Sequence, residues 1–173
     1  RQYHFYFYPE IKELLSENDR KEIEDEIPYN YEEDFEKFKE NRRRGENENY
    51  LCTLIRSDLV SEFIQYVNCN KISLYIIIKP SMFETNSFLI DKEPTLIEYA
   101  AFFGAIQIFR FLKYNQVNVE PSIWQYAIHS NNPELIHYLE EIEISPKDES
   151  YEECLFESIK CHHNDFAYYF LNN

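Results

Sequence analysis

Glycine is almost absent from this chain, which has only Gly45 and Gly104 among its 173 residues. Nucleotide-binding enzymes cradle phosphates in glycine-rich loops, and α/β-hydrolases hold their nucleophile in a glycine-flanked turn, because larger side chains would block the backbone there. The composition therefore argues against both classes of enzyme.

Basic residues are also scarce, with 17 Lys and Arg against 32 Asp and Glu and a formal net charge of −15. Such a charge repels the phosphates of nucleic acids and the anionic headgroups of membranes. The longest apolar run, residues 99–106, has eight residues, whereas a membrane-spanning helix needs about 18. We expect neither nucleic acid nor membrane as a partner.

Cysteine contributes four residues, none in CxxC spacing, which favours a reducing compartment and predicts a cytoplasmic protein. The only cluster with metal-ligand chemistry is Cys161, His162 and His163, with Cys154 seven residues earlier. Adjacent histidines on a helix point about 100° apart, and no second CxxC or HxxxH completes the ligand set. We expect no metal and no cofactor.

Aromatic residues, in contrast, are abundant: 15 Tyr, 14 Phe and Trp124. Residues 1–49 are highly charged and carry only short helical stripes, so we expect a charged helical N-terminal segment that packs on the rest of the chain. Apolar residues then recur at three- and four-residue spacing, which is typical of helices. We therefore divide the chain into residues 1–49 and a helical domain of residues 50–173, with an irregular connector at 69–94.

An internal repeat organises the second part of the chain. Residues 94–101 agree in chemical type with residues 121–128 at nearly every position, at an offset of 27, and a third copy ends at residues 166–170. A period of this length indicates stacked structural units. We predict an all-α solenoid of stacked antiparallel helix pairs with short loops, the pairs lying at about 50–68, 95–113, 122–141 and 150–172.

Helix-start signals accompany these copies. Thr95 and Ser122 each precede a Glu or Gln by three residues, which is the spacing of a capping box, and Ser81 and Ser150 repeat it. Residues 132–134, Asn-Pro-Glu, indicate the start of a second helix, because Asn caps well and Pro suits the first helical position.

Residues 95–109 resemble the ankyrin repeat. The Thr, the apolar third position, the Ala-Ala pair and the Gly of that pattern are present as Thr95, Ile97, Ala100, Ala101 and Gly104. Over about residues 28–173 the chain is similar to a divergent ankyrin-like family, expanded in some protists, that has no assigned activity. The resemblance implies stacked helix pairs, and the position of Gly104 implies left-handed counterparts at Asn131 and His162. Because 27 residues are fewer than the usual 33, we expect short loops in place of β-hairpin fingers.

The resemblance also implies which positions would face a partner. They lie five, two and one residues before Gly104 and its counterparts, on the concave face. We therefore predict a partner-binding surface, graded from aromatic to polar, formed by Tyr99, Phe102, Phe103, Tyr126, His129, Ser130, Glu157 and Lys160. Exposed aromatic residues are favoured interface anchors. The alternative is that Phe102 and Phe103 pack beneath residues 69–94.

Acidic residues dominate residues 134–165, where ten acids stand against Lys147 and Lys160. They favour a partner with a basic surface, or else form a solvated outer helical face. No nucleophile, base and orienting group can be assembled, so we expect no enzyme. We predict a protein-interaction module. The alternative is a structural component built permanently into a larger assembly, suggested by the aromatic run of residues 3–8.

Overall fold

The computed structural model describes residues 6–26, 31–90, 92–147 and 150–172. In these ranges the chain is all-helical, and the sole β-type contact is an isolated antiparallel bridge between Ile77 and Thr95. The prediction of an all-α protein is confirmed. None of the helices in these ranges has both the length and the apolar character that a bilayer span requires.

The described residues form twelve α-helices in two compact units, one of residues 1–48 and 79–92, the other of residues 49–78 and 93–173. The helices of the first unit are α1 (Tyr8–Ile11), α2 (Glu17–Glu26), α3 (Tyr31–Arg44) and α6 (Ser87–Ile90). Those of the second unit are α4 (Tyr50–Arg56), α5 (Val60–Asn70), α7 (Leu96–Phe102), α8 (Ile106–Tyr114), α9 (Ile123–His129), α10 (Pro133–Glu141), α11 (Glu152–Lys160) and α12 (Asn164–Leu171).

The first unit has its own small core. Tyr8 is fully buried, and its hydroxyl donates a hydrogen bond to Glu24. Arg42 donates to Glu10 at 2.9 Å, which ties α3 to α1. The apolar side chains packed around Tyr8 are Ile11, Leu15, Ile23 and Phe35.

Part of the predicted connector belongs to this first unit. The backbone N–H of Thr85 donates to the carbonyl of Gly45 at 3.0 Å, and the Asn47 side chain donates to the carbonyl of Lys79 at 3.0 Å. A Cβ at Gly45 would lie 2.6 Å from the Thr85 hydroxyl oxygen, so this approach requires glycine. The predicted connector of residues 69–94 is thus divided between the units. The first two residues of this connector, 69 and 70, belong to helix α5. That residues 1–49 pack on the repeats stays a prediction.

The second unit consists of four helix pairs, α4–α5, α7–α8, α9–α10 and α11–α12. The second and third pairs have identical lengths: a seven-residue helix, a three-residue turn and a nine-residue helix, 27 residues apart throughout. Neighbouring pairs are in contact through their first helices, with α4 on α7, α7 on α9 and α9 on α11. The bounds of the four pairs lie within a few residues of those expected from the sequence.

Each pair turns at one residue with positive φ, which we call the turn residue. The four turn residues are Asp58 (φ 49°), Gly104 (66°), Asn131 (51°) and His162 (59°). A left-handed residue ends the first helix and lets the next N–H reach back to a free helix carbonyl. The predicted left-handed conformation at Asn131 and His162 is confirmed, whereas Asp58 had no signal in the repeat alignment.

Two of the turns also join one pair to the next. The Asp58 carboxylate accepts hydrogen bonds from the N–H groups of Gln107 and Ile108, at 3.0 and 2.9 Å, and so caps helix α8 of the second pair. Asn132 caps its own helix α10, as predicted, and its amide nitrogen donates to the carbonyl of Gly104 at 3.1 Å. These bonds set the register of successive pairs.

Only one of the four predicted capping boxes forms. Thr95 and Glu98 form a complete box at the start of α7. Ser122 does not, because its backbone is already helical (φ −56°, ψ −20°) whereas a cap residue needs an extended one. Ser81 accepts from an N–H two residues on at a place where no helix begins. Ser150 accepts from the N–H of Glu152 at 3.3 Å, which is two residues on and not the three of a capping box. Three of the four predictions were therefore wrong.

The core between the pairs is built from small and large apolar side chains. Small alanines allow the helices to approach, and large apolar side chains fill the space between neighbours. These side chains are all buried: Ile97, Ala100, Ala101, Ile108, Leu112, Trp124, Ala127, Ile128, Leu135 and Leu139.

Replacement of Asp58 should weaken the second unit. Asp58→Ala removes the acceptor for two N–H groups and places a Cβ-bearing residue without polar rescue at positive φ, so we expect a loss of about 2 kcal/mol. Asp58→Gly keeps the conformation and should lose about 1 kcal/mol. Trp124, the only tryptophan, reports unfolding of this unit in urea.

The control is Glu62→Ala, which removes an exposed acid from the neighbouring helix α5 and should change the unfolding free energy by less than about 0.5 kcal/mol. An Asp58→Ala protein as stable as this control would contradict the role of the inter-pair bonds.

Candidate functional site

Most of the predicted partner-binding residues are buried or partly buried. Tyr99, Phe102 and Tyr126 are buried, with exposed fractions of 1%, 7% and 5%. Phe103, His129, Ser130 and Glu157 are partly buried, and of the eight only Lys160 is exposed. The aromatic members are therefore not exposed interface anchors. The physical reason is that the second pair has a neighbour on either side, whose polar side chains cover the rings.

Arg56 of the first pair covers, from one side, the aromatic row formed by Tyr99, Phe102 and Phe103. It lies two residues before its turn residue, the position that Phe102 and His129 hold in the next two pairs. Its guanidinium donates to the Tyr99 hydroxyl at 2.9 Å and lies 5.9 Å from the centre of the Phe103 ring. Tyr99 and Phe103 are themselves in ring contact at 4.8 Å. The cover shown for these rings thus comes from a neighbouring helix pair, and the alternative that Phe102 and Phe103 pack beneath residues 69–94 stays a prediction.

His129 of the third pair covers the row from the other side. Its ring stacks on Phe102, with centroids 5.0 Å apart and an angle of 27° between the planes. Stacking of this kind fixes the direction in which the imidazole nitrogens point. Here they point to the fourth pair.

Three donor side chains meet where the third and fourth pairs touch. His129 Nε2 lies 3.0 Å from Glu157 Oε1, and Cys161 Sγ lies 3.5 Å from His129 Nδ1 and 3.7 Å from Nε2. The donor atoms of all three lie within 4.8 Å of one another. Lys160 donates to the other side of Glu157 at 2.9 Å. We call His129, Glu157 and Cys161 the donor cluster.

Burial and charge set the protonation of the donor cluster. Burial lowers the pKa of His129, although Glu157 opposes the shift, so the neutral imidazole is favoured. For Glu157, burial raises the pKa, but hydrogen bonds from Lys160 and His129 outweigh it and leave the pKa below its usual value. Burial, reinforced by Glu157, raises the pKa of the Cys161 thiol. Cys161 is therefore poorly suited to be a nucleophilic thiolate in the free protein.

The metal-type cluster singled out in the sequence does not come together as one site. Cys154 is buried, and burial raises the pKa of its thiol to about 12. His162 is the turn residue, while the His163 ring contacts Phe166 at 6.1 Å. Only Cys161 of that set joins a group of donors among the described residues.

The donor cluster escaped the sequence analysis because its members are far apart in the chain. Glu157 and Cys161 come 28 and 32 residues after His129, close to the 31 residues that separate the turn residues Asn131 and His162. A repeat brings equivalent positions of neighbouring pairs side by side. Searching for donors one repeat apart would have found the cluster.

Each helix pair also has a side that meets the next pair along the chain, which we call its forward face. Trp124 shows this in the third pair: its ring contacts Tyr151 and Phe170 at 5.5 and 6.1 Å, and its N–H donates to the carbonyl of Ile144 at 2.9 Å. The next residue, Gln125, likewise donates to Glu153 at 3.2 Å. These two residues lie seven and six positions before their turn residue.

The forward face of the fourth pair is exposed. The equivalents of Trp124 and Gln125 are Leu155 and Phe156, and Ile159 lies three positions before the turn residue. Phe156 and Ile159 have exposed fractions of 55% and 53%. At the position of Ile159, the first three pairs have Ile55, Ala101 and Ile128, each with no exposed surface. The fourth pair therefore exposes to solvent the side that the earlier pairs bury.

A shallow cleft beside Trp124 is another concave feature of the second unit. It lies among Glu120, Gln125, Lys147, Glu153 and Cys154. Its polar side chains engage one another, since Lys147 lies 3.7 Å from Glu153, which also accepts from Gln125. The cleft therefore offers a ligand few polar groups that are not already paired with one another.

Replacement of Phe102 distinguishes a buried ring from an exposed contact residue. Phe102→Ala should lower the unfolding free energy by about 3 to 5 kcal/mol, because it leaves a cavity between Phe103 and His129. The matched control is Tyr114→Ala on helix α8, whose side chain is 88% exposed and should contribute less than about 0.5 kcal/mol. Equal effects, measured by urea unfolding monitored at Trp124, would show that Phe102 lies on the surface.

Comparison of the chain with protein-family models, with curated proteins and with solved structures returns no match. The resemblance to the ankyrin repeat accordingly rests on the residues of the repeat alone.

Proposed function

We propose that this chain is a protein-binding module, a non-catalytic α-solenoid of ankyrin-like helix pairs. The equal lengths of the second and third pairs, the left-handed turn residues and the packing of first helices on one another all support a repeat architecture. Scaffolds of this kind bury their core between neighbours and offer side chains on their surfaces to partners.

The observation that carries the proposal is the exposed forward face of the fourth pair. Phe156 and Ile159 occupy positions that the earlier pairs use to hold the next helix pair, yet both are more than half exposed. Exposed apolar surface of this kind marks interaction sites. A partner that covers these two side chains would regain roughly half of the 1.5–3 kcal/mol that full burial of each is worth.

Charge around the forward face indicates the chemistry of the partner. Glu152 at the start of α11 is exposed, as is Asp165 in the first turn of α12, and Lys160 is the basic residue nearby on α11. A helix with an apolar stripe flanked by Lys or Arg would match this surface in both shape and charge. The proposed partner is therefore a protein with a basic-rimmed apolar helix.

The buried aromatic residues of the predicted partner-binding surface have a different role in this proposal. Tyr99, Phe102 and Tyr126 support the stacking of the pairs and do not touch the partner. Lys160, the exposed member of the predicted partner-binding residues, lies one residue after Ile159 and stays a candidate contact at the rim.

The second candidate is a structural component of a permanent assembly. It is favoured by Tyr168 and Leu171 of α12, which expose further large apolar side chains on the same pair. The aromatic run of residues 3–8, which first suggested it, lies partly outside the described residues, and Tyr8 at its end is buried. Size-exclusion chromatography separates the two candidates, because a permanent component would be insoluble or aggregated alone and a module would elute as a defined species.

Substitution on the forward face should abolish partner binding without unfolding the protein. The wild-type chain serves as bait for proximity cross-linking in cell extract. The candidate partners are then purified and titrated against the chain to measure affinity. Ile159→Asp should weaken binding at least tenfold, because a desolvated carboxylate would face the apolar partner. The thermal midpoint should be unchanged, since Ile159 is already exposed.

The matched control is Tyr75→Asp, an equally drastic change at an exposed aromatic residue outside the four pairs. A partner whose affinity responds to Tyr75→Asp but not to Ile159→Asp would contradict the assignment of the forward face.

A further inference from the structure

We propose that the donor cluster of His129, Glu157 and Cys161 binds one zinc ion between the third and fourth helix pairs. This site is independent of the forward face, and the protein-binding function does not depend on it.

The spacing of the donor atoms is close to that of a tetrahedral zinc site. Zinc bonds of about 2.1 Å to nitrogen and oxygen and 2.3 Å to sulfur imply separations of about 3.4 Å between N and O and about 3.6 Å between N and S. His129 Nε2 lies 3.0 Å from Glu157 Oε1 and 3.7 Å from Cys161 Sγ. The Cys161 sulfur and the Glu157 carboxylate oxygen lie within 4.8 Å of each other. A small side-chain rotation would therefore bring all three donor atoms to the spacing of a zinc site.

Local structure accounts for this convergence. Glu157 and Cys161 are four residues apart at the end of helix α11, where i and i+4 side chains lie on the same face. His129 is the last residue of α9, the helix on which α11 packs. Residues close to the turns of two neighbouring pairs are therefore brought to one point, and the ion would bridge the pairs.

Neighbouring residues hold two of the ligands in place. Phe102 stacks on the imidazole of His129, and Lys160 donates to Glu157 at 2.9 Å. Such outer contacts orient metal ligands and are a regular part of metal sites. Partial burial of all three ligands further limits competition by water.

The mixed ligand set selects zinc among common divalent cations. Magnesium and calcium require oxygen ligands, and a site with one imidazole, one thiolate and one carboxylate offers them only one. Zinc accepts nitrogen, sulfur and oxygen in tetrahedral geometry, and three protein ligands leave its fourth position open for water or another donor. Binding requires the Cys161 thiol to lose its proton, which zinc brings about directly.

Metal analysis of the purified chain tests the site. The chain is equilibrated with zinc and the excess is removed. We then expect elemental mass spectrometry to find one zinc ion per chain. Cobalt as a spectroscopic substitute should give a thiolate-to-cobalt charge-transfer band. Cys161→Ser should remove that band, and both Cys161→Ser and His129→Gln should lower zinc affinity at least tenfold.

Two substitutions serve as matched controls. Cys69→Ser removes an exposed cysteine, and His137→Gln removes an exposed histidine that also lies beside a glutamate, Glu140, at 3.3 Å. Neither should change the stoichiometry or the cobalt band. Zinc binding that is lost in these controls, or that survives intact in the Cys161→Ser/His129→Gln double variant, would overturn the proposal.

A measurement on the unchanged protein keeps the proposal testable if the variants fold poorly. Zinc should protect Cys161 from alkylation while exposed Cys69 in the same chain continues to react, as read by peptide mass spectrometry. Equal alkylation of Cys161 with and without zinc would also overturn the site.

Discussion

The three-residue turn within each helix pair is the constraint on which the second unit depends. A left-handed residue at Asp58, Gly104, Asn131 and His162 ends the first helix and reverses the chain at the same point each time. Because the reversal is the same, side chains counted back from the turn residue acquire equivalent surroundings. Gly104 has the least freedom to change: a Cβ there would lie 3.1 Å from that of Ser130 in the next turn.

Stacking in register then gives one set of positions different roles along the chain. Two residues before the turn residue, Arg56 caps an aromatic row, Phe102 is part of it, and His129 links it to the donor cluster. Three residues before the turn residue, Ile128 of the third pair is buried and Ile159 of the fourth pair meets solvent. The proposed partner surface and the proposed zinc site are thus both consequences of register, one on the forward face of the fourth pair and one where the third and fourth pairs touch.

Sequence reasoning reached the helix pairs because their signals are local: the 27-residue offset, Asn132 before Pro133, and apolar side chains at helical spacing. It failed at Ser122, where the preceding turn imposes helical dihedral angles that no capping motif reveals. It also misjudged the aromatic row, since the exposure of these rings depends on Arg56 and His129, which lie in the neighbouring pairs. The donor cluster was missed because a metal motif is sought within one segment, whereas these ligands lie one repeat apart.

Amide hydrogen exchange at Gln107 and Ile108 tests most directly whether successive pairs are held in register. Both N–H groups lie in the first turn of helix α8, where amides have no partner within the helix and normally exchange fast. Since each donates to Asp58 about 50 residues earlier, we predict exchange far slower than at Asp165, which lies at a helix start without a side-chain cap. Exchange at Gln107 and Ile108 as fast as at Asp165 would contradict the inter-pair contact and the register built on it.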